Sequence, residues 1–515
     1  DMIGVWFSVD GQAKADAEFD PDLNTDWQEE VFSKNALIYD INFSVSGGGE
    51  NHSVYFSVNN FYQDGTIKGP DFNRLTSRLN SEFRIGKRIT VGQHLTVGHG
   101  KTTGIAGGAQ DFEGSDIVGP FSAAYEMLPV IPVYDTAQTS GYGIGEIMRA
   151  QTWSENPVGV MEQFHNASQD TRILGDVFLD LEILEEFSYR FSLGLSSSFN
   201  KYKSYNEAGM LRMQTVHFSG LTEQQTTEHG IFLENRLNFS REIGRHSFSL
   251  MGTYTEQSDR GSTQGAVSVG GYDDEVNFWQ ISNSTGKVSA SGSENQSGLK
   301  SLLGRFTYNF DRKYFLTAII RRDGSSKFAA ENRWGTFPSV SGGWDISQED
   351  FFNVEFIRHL KFRVGYGIVG NASIGDYQYA TFIDRKAQGD DYWSAGVNYN
   401  LGPNSQSVIG ATRSDDIRNR NITWEKLTET NVGLDLEAFR GKLLIHGDYF
   451  FGTMDDLLAE MPLPWSIGTR WPAFSTINAV SMTRNGLEFS VSYRKRTGDF
   501  QYALTGNISH FSNEI

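Results

Sequence analysis

The sequence contains no cysteine, which excludes disulfides, thiolate nucleophiles and cysteine-ligated metals. It also lacks a basic excess: 44 Lys and Arg stand against 63 Asp and Glu, a formal net charge of −19, with the acid gathered between the apolar stretches. Nucleic-acid binding needs a basic footprint, and this chain has none. No run of about 18 apolar residues occurs, so membrane-spanning helices are excluded. A β-barrel escapes that exclusion, because only every second residue of its strands meets lipid. There is no H-E-x-x-H, no G-x-S-x-G and no close pair among the ten histidines, so an enzymatic reading is weak. Asp1-Met2-Ile3-Gly4 carries neither the basic n-region nor the apolar h-region of a secretory signal.

What the chain has in quantity is glycine (55), phenylalanine (37) and tyrosine (21), laid out with period 2. Leu360, Phe362, Val364, Tyr366 and Ile368 alternate with Lys361, Arg363, Gly365 and Gly367. Leu487, Phe489, Val491 and Tyr493 alternate with Glu488, Ser490, Ser492 and Arg494. Strict alternation marks strands with one apolar and one polar face. Sixteen strands are predicted: 36–47, 52–62, 72–86, 88–99, 171–183, 187–200, 230–243, 245–257, 299–310, 313–322, 334–346, 359–369, 422–438, 441–456, 484–497 and 499–511. A length of 515 residues would ordinarily suggest several domains, but evenly repeated strands with no break in composition point to one large β-architecture.

The connections alternate. Short turns fall at 47–51, 86–87, 184–186, 244, 311–312, 440 and 498, and long segments at 100–170, 201–229, 258–298, 370–421 and 457–483, with 347–358 a longer turn on the short side. Outer-membrane barrels show this pattern, with brief periplasmic turns and long extracellular loops. All segments longer than about twenty residues are therefore expected on one rim. Ser-rich stretches such as 289–297 read as flexible loop tips. A soluble barrel would invert the faces without changing the alternation; the Arg and Glu on the polar faces favour a wet lumen and an apolar face toward lipid.

The stretch 304–347 organises the rest. It holds three such strands, joined by a tight turn at Asp311-Arg312 and by a polar excursion from Arg321 to Arg333-Trp334. Within it, Arg322-Asp323-Gly324-Ser325-Ser326 followed by Arg333-Trp334-Gly335-Thr336-Phe337-Pro338 resembles the central barrel signature of SusC-like (RagA-like) TonB-dependent transporters of Bacteroidota. Asn24-Thr25-Asp26-Trp27 resembles the stretch leading into that barrel. Gly365-Tyr366-Gly367, Thr423-Trp424-Glu425-Lys426, Asp448-Tyr449-Phe450 and Arg484-Asn485-Gly486-Leu487-Glu488 follow in family order.

The resemblance implies an all-β transmembrane antiparallel barrel in the outer membrane, with residues 1–35 an extracellular segment leading into a barrel domain over 36–515. It implies import of a glycan or oligopeptide rather than bond-breaking chemistry. A SusD-like surface lipoprotein is expected as lid, the TonB complex as drive acting through a plug, and membrane lipid or lipopolysaccharide as surroundings. Two other readings stay open: a siderophore or vitamin receptor, and a scaffold subunit of a larger complex. The first strand runs into a short turn and the last leaves one, so both chain ends would lie outside the cell. A closed barrel of sixteen strands cannot have that polarity. The resemblance resolves it with about 16 of 22 strands in this chain, the plug and terminal strands lying elsewhere.

Several motifs have two readings. Gly365-x-Gly367-x-x-Gly370 spells a dinucleotide fingerprint, but the residues that follow cannot form the helix such a site needs, and a strand end is the better reading. The acidic pairs near 273, 390, 415 and 455 lack the spacing of a calcium loop, so no cofactor is expected beyond an adventitious Ca2+. Trp153, Trp279, Tyr377, Tyr392, Trp393, Trp465 and Trp471 fall in the long segments. Their rings suit stacking on sugar faces or on apolar peptide side chains, and equally suit packing loop on loop.

Overall fold

The computed structural model describes residues 23–105, 119–136, 138, 140–144, 154–212, 215–272, 279–380, 383–387, 399–400, 409–413, 418–464 and 474–515. Sixteen strands form one antiparallel sheet in chain order. They are β1 (Ile38–Gly49), β2 (His52–Asp64), β3 (Asp71–Ile85), β4 (Ile89–Ile105), β5 (Phe164–Glu182), β6 (Phe187–Asn206), β7 (Gly220–Ile243) and β8 (His246–Val269). There follow β9 (Lys287–Phe310), β10 (Tyr314–Ser325), β11 (Trp334–Asp345), β12 (Ile357–Asn371), β13 (Glu425–Ala438), β14 (Leu443–Pro462), β15 (Phe474–Thr497) and β16 (Phe500–Glu514). Each pairs with its sequence neighbours; β1 and β16 are not paired with each other among the described residues.

Antiparallel neighbours in chain order send alternate connections to opposite rims, so the segments following β2, β4, β6, β8, β10, β12 and β14 share one rim. The 106–163 and 372–424 segments are both among them, as the alternation predicts. The turns on the other rim are tight. Asp311 (φ 52°) and Arg312 (φ 59°) both take left-handed backbone, Lys313 N–H donates to the Phe310 carbonyl at 2.9 Å, and the Asn309 side chain accepts from Arg312 N–H at 2.9 Å. That is a mirror-image turn whose twist matches the flanking strands. The longer 346–356 turn is gathered on Glu349, which accepts from Tyr314 Oη (2.5 Å), Trp344 Nε1 (3.1 Å) and Lys313 Nζ (3.3 Å). These bonds hold its carboxyl below the usual range, Tyr314 contributing most.

The short-turn ends of the strands fall within two residues of expectation, whereas many of the loop-side ends run well past it. β9 begins at Lys287 rather than 299, β7 at Gly220 rather than 230, and β8 runs to Val269 rather than 257. The stretch 289–297 is therefore not a loop tip: Ser289 to Ser297 pair residue by residue with Val267 to Asp259 on β8. β7, β8 and β9 reach 24 residues each, whereas a barrel strand crosses a bilayer in roughly 9–11. The surplus is ladder standing beyond the membrane. Out there both faces meet water, so the alternation that marks a strand fades while the backbone pairing continues.

Face assignment follows exposure. Phe362, Val364, Tyr366, Leu434, Tyr449, Phe451, Leu487 and Phe489 are all exposed, while Arg363 and Asp435 between them are half-buried. Large exposed apolar side chains in every strand fit contact with lipid and do not fit contact with water. No helix of the described residues is long and apolar enough to cross a membrane, a statement that leaves strand crossing untouched. Three short helices sit on the long-loop side: α1 (Trp27–Val31), α2 (Pro120–Glu126) and α3 (Pro157–Gln163).

Candidate functional site: the loop-side rim and the inner wall

Among the described residues, two small apolar cores hold the rim together. The first joins α1, α2 and α3 through Trp27, Val31, Ala124, Met127, Ile131 and Val158, with Phe32 and Ile67 against them. Asp26 caps α1 by accepting from the N–H groups of Gln28 (3.1 Å) and Glu29 (3.0 Å), the role expected of Asp at an N-cap. Thr25 donates its N–H to the Pro129 carbonyl and its hydroxyl to the Ile131 carbonyl, each at 2.8 Å. Trp27 Nε1 donates to the Leu128 carbonyl at 2.9 Å. The stretch Asn24 to Trp27 thus bonds the segment before β1 to the segment after β4, with Asn24 itself exposed. Buried Asn156 caps α3 and donates to the carbonyls of Val133 and Gly143, both at 2.9 Å. Tyr134 and Tyr142 donate to the two oxygens of Glu162 (2.9 and 2.7 Å). Both phenols are pushed above their ordinary pKa, Tyr142 first by burial and then by Glu162, Tyr134 chiefly by Glu162.

The second core forms where β10, β11 and the end of the 372–424 segment meet: Phe328, Phe337, Ile422 and Trp424, all buried. The Arg333 carbonyl accepts from Trp424 Nε1 and from Ser325 N–H, each at 3.1 Å. Arg321 binds the buried Asp323 carboxylate at 2.7 and 2.8 Å. Gly324 is required: a Cβ there would lie 2.8 Å from the Trp334 ring, which covers it, and Arg322 rests over that ring at 5.3 Å. Gly370 is explained in the same way, since a Cβ would meet Phe337 Cζ at 2.0 Å. The Gly365-x-Gly367-x-x-Gly370 string lies within β12 and makes room for a core ring. The Glu331 carboxyl is held below its usual range by its own backbone N–H and then by Arg420 at 2.8 Å.

Between the rim and the short turns, the inner face carries a polar network. Arg363 on β12 makes paired contacts with Asp435 on β13 (2.8 and 3.0 Å) and with Asp448 on β14 (3.0 Å twice). It reaches Asp448 because Gly433 stands between them; a Cβ there would lie 2.4 Å from Asp448 Oδ1 and 2.7 Å from Arg363 Cζ. His446 adds a contact to Asp435 at 3.0 Å. Sequence alone flags these residues only as members of a polar face, since their meeting depends on register across three strands.

The aromatic candidates divide. Trp153, Tyr392, Trp393, Trp465 and Trp471 lie outside the described residues. Trp279 stacks on Tyr205 (4.3 Å between ring centres) and on His165 (4.9 Å), with its carbonyl accepting from Lys203. Tyr377 accepts the Gln296 N–H at 3.1 Å, and Asp376 accepts from Asn295 at 3.2 Å, tying the segment after β12 to the extended part of β9. Of the acidic pairs, Asp455 and Asp456 are described, and Asp456 pairs with Lys426 at 3.4 Å. Among the described residues no group of three potential metal ligands converges.

A single sheet of sixteen strands with exposed apolar side chains, a polar inner wall and the described loop segments gathered at one rim describe a large outer-membrane barrel. Residues 136–514 match the family described as TonB dependent receptor-like, beta-barrel. The chain belongs to this family. It is 27% identical to TonB-dependent receptor P3 of Formosa agariphila over 99% of its own length and 49% of that protein's. It is 26% identical to TonB-dependent receptor SusC of Bacteroides thetaiotaomicron over 96% and 48%. The chain therefore spans about half the length of the curated relatives it matches. Among solved structures, the RagAB peptide importer in its closed-closed state superposes with a TM-score of 0.77 at 20% identity, over 96% of this chain and 52% of that one. The siderophore receptor PirA of Acinetobacter baumannii gives 0.54 at 11% identity, over 93% and 61%. Both show the shared fold. As a barrel of this TonB-dependent receptor family, the chain resides in the outer membrane.

Proposed function

We propose that this chain forms the wall of a TonB-dependent importer for an oligopeptide or glycan, with a SusD-like surface lipoprotein seated on the long-loop rim and a plug driven by the TonB complex. The observation that carries the reading is the rim itself. Two buried cores fasten the segments before β1, after β4, after β10 and before β13, giving a partner a preformed surface to rest on. Binding to a preorganised surface avoids the entropy of ordering loops at the moment of contact. The similarity to SusC and to the RagAB fold supports the same assignment. The inner wall supplies polar side chains for a hydrated ligand, and no bond is broken in this function. Trp279 and Tyr377, together with Trp153, Tyr392 and Trp393, are the proposed aromatic contacts.

Gentle detergent extraction of the full-length protein from its native outer membrane tests the assignment. A surface lipoprotein and bound peptide or oligosaccharide are expected to co-purify. Trp27→Ala, which empties the first rim core, is expected to reduce recovery of the lipoprotein while the barrel keeps its heat-sensitive gel mobility. Recovery of an iron chelate and no lipoprotein would favour the siderophore reading instead.

A further inference from the structure

We propose that the outer face of β7 to β10 holds one acyl chain of a phosphorylated glycolipid of the outer leaflet, with Arg322 receiving its phosphate. A groove of about 520 Å3 lies there, in the lipid-facing row of side chains. Its floor is Gly252 and Gly304, which sit directly opposite each other on β8 and β9. Its walls are Leu237, Leu302, Ile320 and Tyr254. A Cβ on Gly252 would meet nothing within 4 Å, and one on Gly304 would meet only Ile320 Cγ2 at 3.5 Å. These glycines are therefore not demanded by packing within the protein, unlike Gly324 or Gly370. They recess the surface among Leu237, Leu302, Ile320 and Tyr254, with Asn235 and Arg322 also lining the groove.

The depth of the groove selects the kind of occupant. At the short-turn edge, Phe248, Tyr308, Phe310 and Tyr314 form an aromatic girdle with ring centres 5.4 to 6.2 Å apart. At the other edge stand Lys300, paired with Glu256 at 3.1 Å, and the Arg322–Trp334 stack. Tyr308 and Lys300 are eight positions apart on β9, close to the roughly 9–11 residues of a bilayer crossing. The groove thus opens upward at headgroup level in the long-loop leaflet, and there it ends on Arg322. Arg321 is committed to Asp323 and Lys300 to Glu256, whereas Arg322 meets a ring and, among the described residues, no carboxylate. A guanidinium with open donors above an apolar trough complements a phosphate above an acyl chain.

The test uses the full-length protein from its native outer membrane, examined by native mass spectrometry after mild extraction. The wild type is expected to retain a phosphorylated acyl glycolipid. Gly252→Leu, which puts a side chain into the groove at a position whose Cβ meets nothing within 4 Å, is expected to lose it while keeping heat-sensitive mobility, and Arg322→Gln to retain less. Equal retention by all three proteins overturns the proposal, as does a glycerophospholipid alone or a second copy of the chain at that face. The barrel assignment is read separately, from the gel mobility.

Discussion

At the scale of single residues, glycine has three distinct uses in this barrel. Gly324 and Gly370 clear space for Trp334 and Phe337 in the rim, Gly252 and Gly304 recess the outer face, and Gly433 lets one arginine bridge three strands. The last can be tested with one methyl group. In Gly433→Ala the atoms that must move are the side-chain ends of Arg363 and Asp448, not backbone, so the strand survives and the bridge does not. Asp435 and Asp448 then no longer share a cation. A loss of about 1–2 kcal/mol is expected from broken charge-assisted hydrogen bonds in a half-buried setting. The urea midpoint of the folded barrel in detergent should fall accordingly, and Gly433→Ala combined with Arg363→Met should show little further loss.

Among the elements, the described parts of the loop segments are held by their own small cores and capped helices rather than by the sheet. In the segment between β4 and β5, Tyr134 and Tyr142 share Glu162. A phenol whose folded pKa lies above its unfolded value of about 10 contributes stability that is fully present below pH 10 and disappears as pH rises through the folded pKa. Removing the carboxylate charge removes part of that shift. Glu162→Gln should move two phenols to lower pH in an absorbance titration near the tyrosinate band, leaving the other tyrosines where they were. An unchanged titration curve would show that Glu162 does not hold both rings.

For the whole molecule, the decisive feature is that β1 and β16, the edge strands of the sheet, are not paired with each other among the described residues. Unsatisfied backbone groups cost several kcal/mol each in hydrocarbon, so an open sheet does not persist in a membrane. We infer that β1 and β16 each pair with strands outside the sixteen described. No residue of these 515 is cysteine, so no native thiol of this chain competes in a direct test. Cysteines placed at Ile41 on β1 and Ile508 on β16 should not form a disulfide in the native outer membrane, while a control pair at Phe43 and Val58, partners across β1 and β2, should cross-link. Efficient Ile41–Ile508 linkage would instead mean a closed barrel of sixteen.

The sequence by itself determined the sixteen strands of the large sheet, their order and which rim bears the long loops, while the lipid-facing side rested also on the Arg and Glu of the polar faces and on the family resemblance. The strands and their rims follow from period 2 and from turn chemistry, and both are local. It also carried the rim stretches Asn24 to Trp27 and Arg322 to Trp334, as a resemblance without a mechanism. Only the tertiary structure decided that Trp27 bonds Leu128, that Trp424 donates to the Arg333 carbonyl, and that Arg363 reaches Asp448 past Gly433. Those contacts join residues 85 to 101 positions apart, and nothing in the spacing of side chains along one strand encodes them. The strand ends above the membrane were hidden for a related reason. Where lipid stops, the apolar alternation stops with it, while the backbone hydrogen bonds of β7, β8 and β9 go on.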